Sequence, residues 1–115
     1  MTEFATQAAT NAFRIMGPSE AIPNDHVVPY YLEDRKLRIS IARVKGRLYA
    51  FDDLCTCVDE SCPLSGGLLT GTTLMCQCHG SRFDIVTGAA INGPATRALT
   101  VYDVQELDGK IRVRA

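Results

Sequence analysis

Histidine is scarce in this chain, with two in 115 residues, and long apolar runs, a basic excess and any cysteine outside residues 55–78 are missing altogether. Each absence excludes something. No stretch of 18 apolar residues occurs, so no transmembrane helix is expected. Twelve Lys and Arg stand against 13 Asp and Glu, a formal net charge of −1. That leaves no field of the kind that draws a protein to nucleic acid. The first sixteen residues contain Glu3 and Arg14 and have neither a basic start nor an apolar run. A secretory signal is therefore not expected, and the chain reads as cytoplasmic. There, clustered cysteines serve metals or catalysis more often than structural disulfides. With only His26 and His79 available, no Ser/His/Asp arrangement can be drawn. No glycine loop has the pattern that cradles a phosphate. The chain does not read as an enzyme.

With 46% hydrophobic residues, a chain of this length can bury one core but not two. Apolar positions recur with a period of two after residue 26, as Leu37, Ile39 and Ile41 do around Arg38 and Ser40. That is strand periodicity. Lys45-Gly46-Arg47 divides residues 37–44 from 48–51, and Asp108-Gly109 divides 99–107 from 110–114. Both turns predict hairpins. Further strands are expected at 13–16, 27–32, 74–76 and 83–85. Six glycines between 66 and 93 leave little room for a helix there. Residues 3–12 are the one helical candidate, in an extension (1–12) to a domain spanning 13–115. The expected class is all-β, an antiparallel sandwich or small barrel.

The distinctive chemistry is C-x-C-x4-C-x13-C-x-C-H, from Cys55 to His79. An odd number of thiols cannot pair off within one chain. Two ligand-rich loops flanking Gly66–Gly71 could hold a metal centre. Free cysteines are often simply buried, which is the plainest alternative. Zinc in a Cys3His site is another, although the usual C-x2-C knuckles are absent.

The run Cys76-Gln77-Cys78-His79-Gly80-Ser81-Arg82-Phe83-Asp84, followed by Thr87-Gly88, resembles the second box of the Rieske [2Fe–2S] proteins. Asn92-Gly93-Pro94-Ala95 is similar to the proline loop that covers their cluster. Pro63-Leu64-Ser65 and Gly71 also fall where that family places them. The resemblance spans roughly residues 13–113 and implies a β-sandwich or barrel carrying a small cluster-binding subdomain at about 52–95. It also implies a one-electron carrier between a flavoprotein reductase and a terminal oxygenase, either a ring-hydroxylating dioxygenase or a cytochrome P450. By the same resemblance it acts as a monomer, without membrane or nucleic acid.

Family members hold one iron with two cysteines and the other with two histidines. Here Cys57 stands at the place of the first histidine, and His26 lies too far from the boxes to replace it. The resemblance therefore implies a Cys3His set of Cys55, Cys57, Cys76 and His79, with Cys62 as the alternative to Cys57. Cys62 and Cys78 resemble the pair that forms a disulfide in respiratory-type relatives. Ser81, Phe83, Leu64, Gly93 and Pro94 would surround the cluster, and Phe83 replaces the tyrosine of high-potential members. A redox or iron–sulfur sensor with a labile cluster and a zinc-bound structural module remain the other readings.

The charges are unevenly distributed. Residues 52–81 carry Asp52, Asp53, Asp59 and Glu60 without any Lys or Arg, whereas 35–47 carry six bases and no acid. The acidic stretch is expected to steer a partner towards the electron-exit point. The basic stretch reads as a solvated hairpin face.

Overall fold

The computed structural model describes residues 13–56, 62–78 and 80–115. The helical candidate at 3–12, Cys57 and His79 lie outside them. Ten strands run in chain order: β1 (Phe13–Pro18), β2 (His26–Leu32), β3 (Leu37–Val44), β4 (Arg47–Asp52), β5 (Leu68–Thr70), β6 (Thr73–Met75), β7 (Arg82–Asp84), β8 (Ala90–Asn92), β9 (Val101–Leu107) and β10 (Lys110–Arg114). Short 3-10 turns occupy Ser19–Ala21 and Leu64–Gly66. No helix among the described residues is long and apolar enough to cross a membrane.

Among these residues the strands form two antiparallel sheets. Six make the frame, in the order β1-β10-β9-β4-β3-β2, and four make a smaller sheet, β5-β6-β7-β8. The predicted hairpins form where expected. Lys45 and Gly46 take φ of 50° and 82°, and Asp108 and Gly109 take 54° and 73°. Two consecutive left-handed residues match the right-handed twist of the strands they join. The frame curls until its edges meet, where the Arg14 guanidinium grips Asp34 of the β2–β3 turn at 2.7 and 3.1 Å.

The centre of the frame is buried on both sides. Ile39 and Ile41 of β3 and Ala50 of β4 face a core closed by Ile111 and Val113. On the opposite face, Ala42, Val44 and Phe51 join a second core with Leu74, Phe83, Cys55 and Cys76. Ser40, between Ile39 and Ile41 in β3, is fully buried on the face turned towards the small sheet. Burying a large aliphatic or aromatic side chain contributes about 1.5–3 kcal/mol. β3 and β4 thus close the frame's own core with one face and tie the frame to the small sheet with the other.

Candidate metal centre

Three loops meet beyond the ends of the strands. The first leaves β4 at Asp53 and returns to β5 through the turn Leu64–Gly66. It is closed by an antiparallel bridge between Leu54 and Pro63 and by the Cys55 N–H, which donates to the Cys62 carbonyl at 2.9 Å. The second joins β6 to β7. There the Cys76 N–H donates to the Ser81 carbonyl at 2.7 Å, and the Gly80 N–H donates to the Cys76 carbonyl at 3.0 Å. Gly80 takes φ +79°, a conformation that side-chain-bearing residues rarely adopt.

The third loop follows β8 and carries Gly93-Pro94, both exposed. It clasps the other two. The Thr56 hydroxyl donates to the Arg97 carbonyl, and the Ala95 N–H donates to the Ser81 hydroxyl oxygen at 3.0 Å. Ser81 is wholly buried.

Cys62 and Cys78 form a disulfide with a Cα separation of 6.3 Å, joining the first loop to the second. Cys55 and Cys76 lie outside it, both wholly buried in one core with Leu64 and Phe83. The sulfurs of Cys62, Cys76 and Cys78 all lie within 4.8 Å of one another. A cleft of about 380 Å³, lined by Asp52, Leu54, Cys55, Thr56, Arg97, Ala98 and Thr100, opens beside Cys55. Two thiols excluded from water, one on each of two facing loops, fit the thiolate half of an iron–sulfur site.

The Rieske [2Fe-2S] domain family matches residues 12–103 of the chain. The protein belongs to the Rieske [2Fe–2S] family. It is 34% identical over 84 residues to the ferredoxin component of the naphthalene 1,2-dioxygenase system of Pseudomonas aeruginosa, covering 73% of this chain and 77% of that one. The ferredoxin of Sphingomonas yanoikuyae B1 superposes with a TM-score of 0.81 at 26% identity, over 90% of this chain and 98% of that one. The ferredoxin from a complex of reduced oxygenase and oxidized ferredoxin in carbazole 1,9a-dioxygenase superposes with a TM-score of 0.80 at 24% identity. It covers 90% of this chain and 94% of that one. The Rieske chain carries a [2Fe–2S] cluster and is an electron-transfer component, not itself a catalyst.

Around this Rieske site, two of the acids expected to steer a partner have other work. Asp53 is wholly buried. It accepts from the Arg38 guanidinium, from the Ser40 hydroxyl at 2.6 Å and from the Ser65 N–H at 2.8 Å. Asp52 is half-buried and accepts the Tyr102 hydroxyl at 2.5 Å. Burial, reinforced by that bond, holds the Tyr102 phenol well above its usual range. Asp59 and Glu60 lie outside the described residues.

Two of the six bases of residues 35–47 are occupied too. Arg38 serves Asp53, and Arg43 donates to the Ile22 and Ser19 carbonyls and grips Glu106. His26 is exposed at the start of β2, its Nδ1 donating to the Asn24 carbonyl at 3.0 Å. Sequence reasoning missed the Asp53 cluster and the Thr56–Arg97 clasp. Only the position of Asp53, two residues before Cys55, hints at either.

Proposed function

We propose that this protein carries single electrons from a flavoprotein reductase to a terminal oxygenase, through a cluster held by Cys55, Cys57, Cys76 and His79. The observation that carries the reading is the division of the cysteines. Cys62 and Cys78 are consumed by a disulfide, while Cys55 and Cys76 stay buried outside it. That division favours Cys57 over Cys62 as the third thiolate. The cluster, when bound, supplies one-electron oxidation and reduction. The chain's own residues exclude water and hold the loops: Leu64 and Phe83 wall the cysteine pair, and the disulfide and the Thr56 and Ser81 bonds fix the three loops together.

A ring-hydroxylating dioxygenase is the oxygenase best supported, because the relative from Pseudomonas aeruginosa is a component of such a system; a cytochrome P450 is the second choice. The protein is proposed to act as a cytoplasmic monomer, with no membrane or nucleic-acid partner.

A thiolate where relatives have an imidazole places an additional negative charge beside the iron, and this disfavours electron uptake. The reduction potential should fall at or below the low end of the Rieske range of about −150 to +300 mV, towards the roughly −400 mV of four-thiolate plant-type centres. With one ligand imidazole, electron uptake near neutral pH should couple to one proton.

Iron and sulfide analysis, with visible spectra of Cys57→Ser and Cys62→Ser, tests the ligand set. Cys57→Ser should lose or alter the red-brown absorption, and Cys62→Ser should keep it. The reverse pattern would transfer the ligand role to Cys62, and a colourless wild-type protein containing zinc would overturn the reading altogether.

A further inference from the structure

Asp53 is the one carboxylate or cation that is wholly buried among the described residues. It stands two residues before Cys55, on the strand-to-loop junction that delivers that cysteine. Its carboxylate meets three donors and no acceptor: the Ser40 hydroxyl at 2.6 Å, the Ser65 N–H at 2.8 Å and the Arg38 guanidinium. That set satisfies the ionised form. Its main chain is equally engaged, with the N–H donating to the Arg38 carbonyl at 3.0 Å and the carbonyl accepting from the Leu64 N–H. One residue therefore joins β3, the start of the first loop and the turn that ends it.

The charges of the pair are not equally screened. The Asp53 side chain has no exposure, whereas 45% of the Arg38 side chain is exposed. Water weakens the field of an exposed group far more than that of a buried one.

We propose that Asp53 is a positioning residue that also tunes the electron affinity of this centre. It holds the first loop in register with β3, and its buried negative charge, only partly offset by Arg38, would oppose the arrival of an electron at the cluster that Cys55 would hold. The proposal rests on the reading that Cys55 holds the cluster. A negative charge beside a centre that gains an electron raises the energy of the reduced form. Removing Asp53's charge should therefore raise the potential, and removing Arg38's charge should lower it. Loss of packing alone has no reason to follow the sign of the charge removed.

The test is the midpoint potential of the full-length, cluster-loaded protein by film voltammetry at one pH and ionic strength, with iron and sulfide measured per chain. Asp53→Asn should shift positive and Arg38→Gln negative, while Ser40→Ala, which removes a hydrogen bond but no charge, should stay with the wild type. Glu106→Gln is the remote control. Its residue lies five positions along β9 from Val101, roughly 17 Å at about 3.4 Å per residue. Shifts of the same sign in the first two variants, or shifts no larger than the control's, would overturn the proposal. If Asp53→Asn does not fold, Arg38→Gln decides: a negative shift beyond the control supports it, and anything else overturns it. Cys55→Ser tests the underlying reading separately, because full iron and sulfide in that variant would remove Cys55 as a ligand whatever the charge variants do.

Discussion

Tyr102 shows how a residue outside the site reports on the ground beneath it. Its hydroxyl bonds Asp52 at 2.5 Å, at the junction where β4 ends and the first loop begins. Burial, then that bond, raises its pKa above the ordinary value of 10.0. The unfolded chain releases this proton near pH 10 and the folded chain keeps it. The stabilisation is thus complete below pH 10 and is lost as pH rises towards the folded value. Thermal midpoints measured from pH 8 to 12 should fall on the alkaline side, and Tyr102→Phe should flatten that fall. An identical alkaline limb in the variant would remove the phenol from the account. Glu106 works in the opposite sense, because Arg43 holds its carboxyl below the usual value. Its contribution is present above about pH 4.5 and disappears on acidification.

Elements were legible in the sequence where local geometry settles them. Lys45-Gly46 and Asp108-Gly109 marked their hairpins because two left-handed residues in succession suit few dipeptides. β5 and β8 were not legible: neither contains a fully buried residue, whereas β6 and β7, equally short, each bury one, Leu74 and Phe83. The burial of Ser40 was not legible either, because the partner that satisfies it, Asp53, is thirteen residues away. The Cys62–Cys78 pair was legible through family resemblance, not through physics.

Glycines separate backbone strain from steric closure in these elements. Gly88 has φ +86°, and an added Cβ would lie 2.3 Å from the Leu99 carbonyl, whereas at Gly71, φ +58°, it would meet nothing within 4 Å. Gly71→Ala should cost about 1–2 kcal/mol of strain, and Gly88→Ala distinctly more, in denaturant unfolding of the two variants side by side. Equal losses would mean that the β7–β8 connection gives way more readily than its geometry implies. The disulfide encloses a loop of sequence separation 16. On chain-entropy grounds, the Cys62→Ser, Cys78→Ser double variant should unfold with roughly 3 kcal/mol less stability than the oxidised apoprotein.

Across the whole molecule, near-neutral net charge conceals several charges that are paired off: Asp53 with Arg38, Glu106 with Arg43 and Asp34 with Arg14. They contribute little to a long-range field. Any steering of a redox partner by the acidic stretch therefore falls to Asp59 and Glu60. Stopped-flow electron transfer with a reductase, measured against ionic strength, should show a salt slope that Asp59→Asn, Glu60→Gln reduces and Glu106→Gln does not. A slope unchanged in the double variant would end the steering idea.

The bridge from Leu54 to Pro63 and the bond from Cys55 to the Cys62 carbonyl bring the chain back to its starting point before and after residues 56–61. A segment whose ends are clamped together passes little of its own length to the strands beyond, and lengthening it costs only a logarithmic entropy. The stretch containing Cys57 can therefore behave as a replaceable cassette. Evolution, or an engineer grafting the corresponding stretch from a relative, could exchange the side chain at position 57 while leaving both sheets as they are.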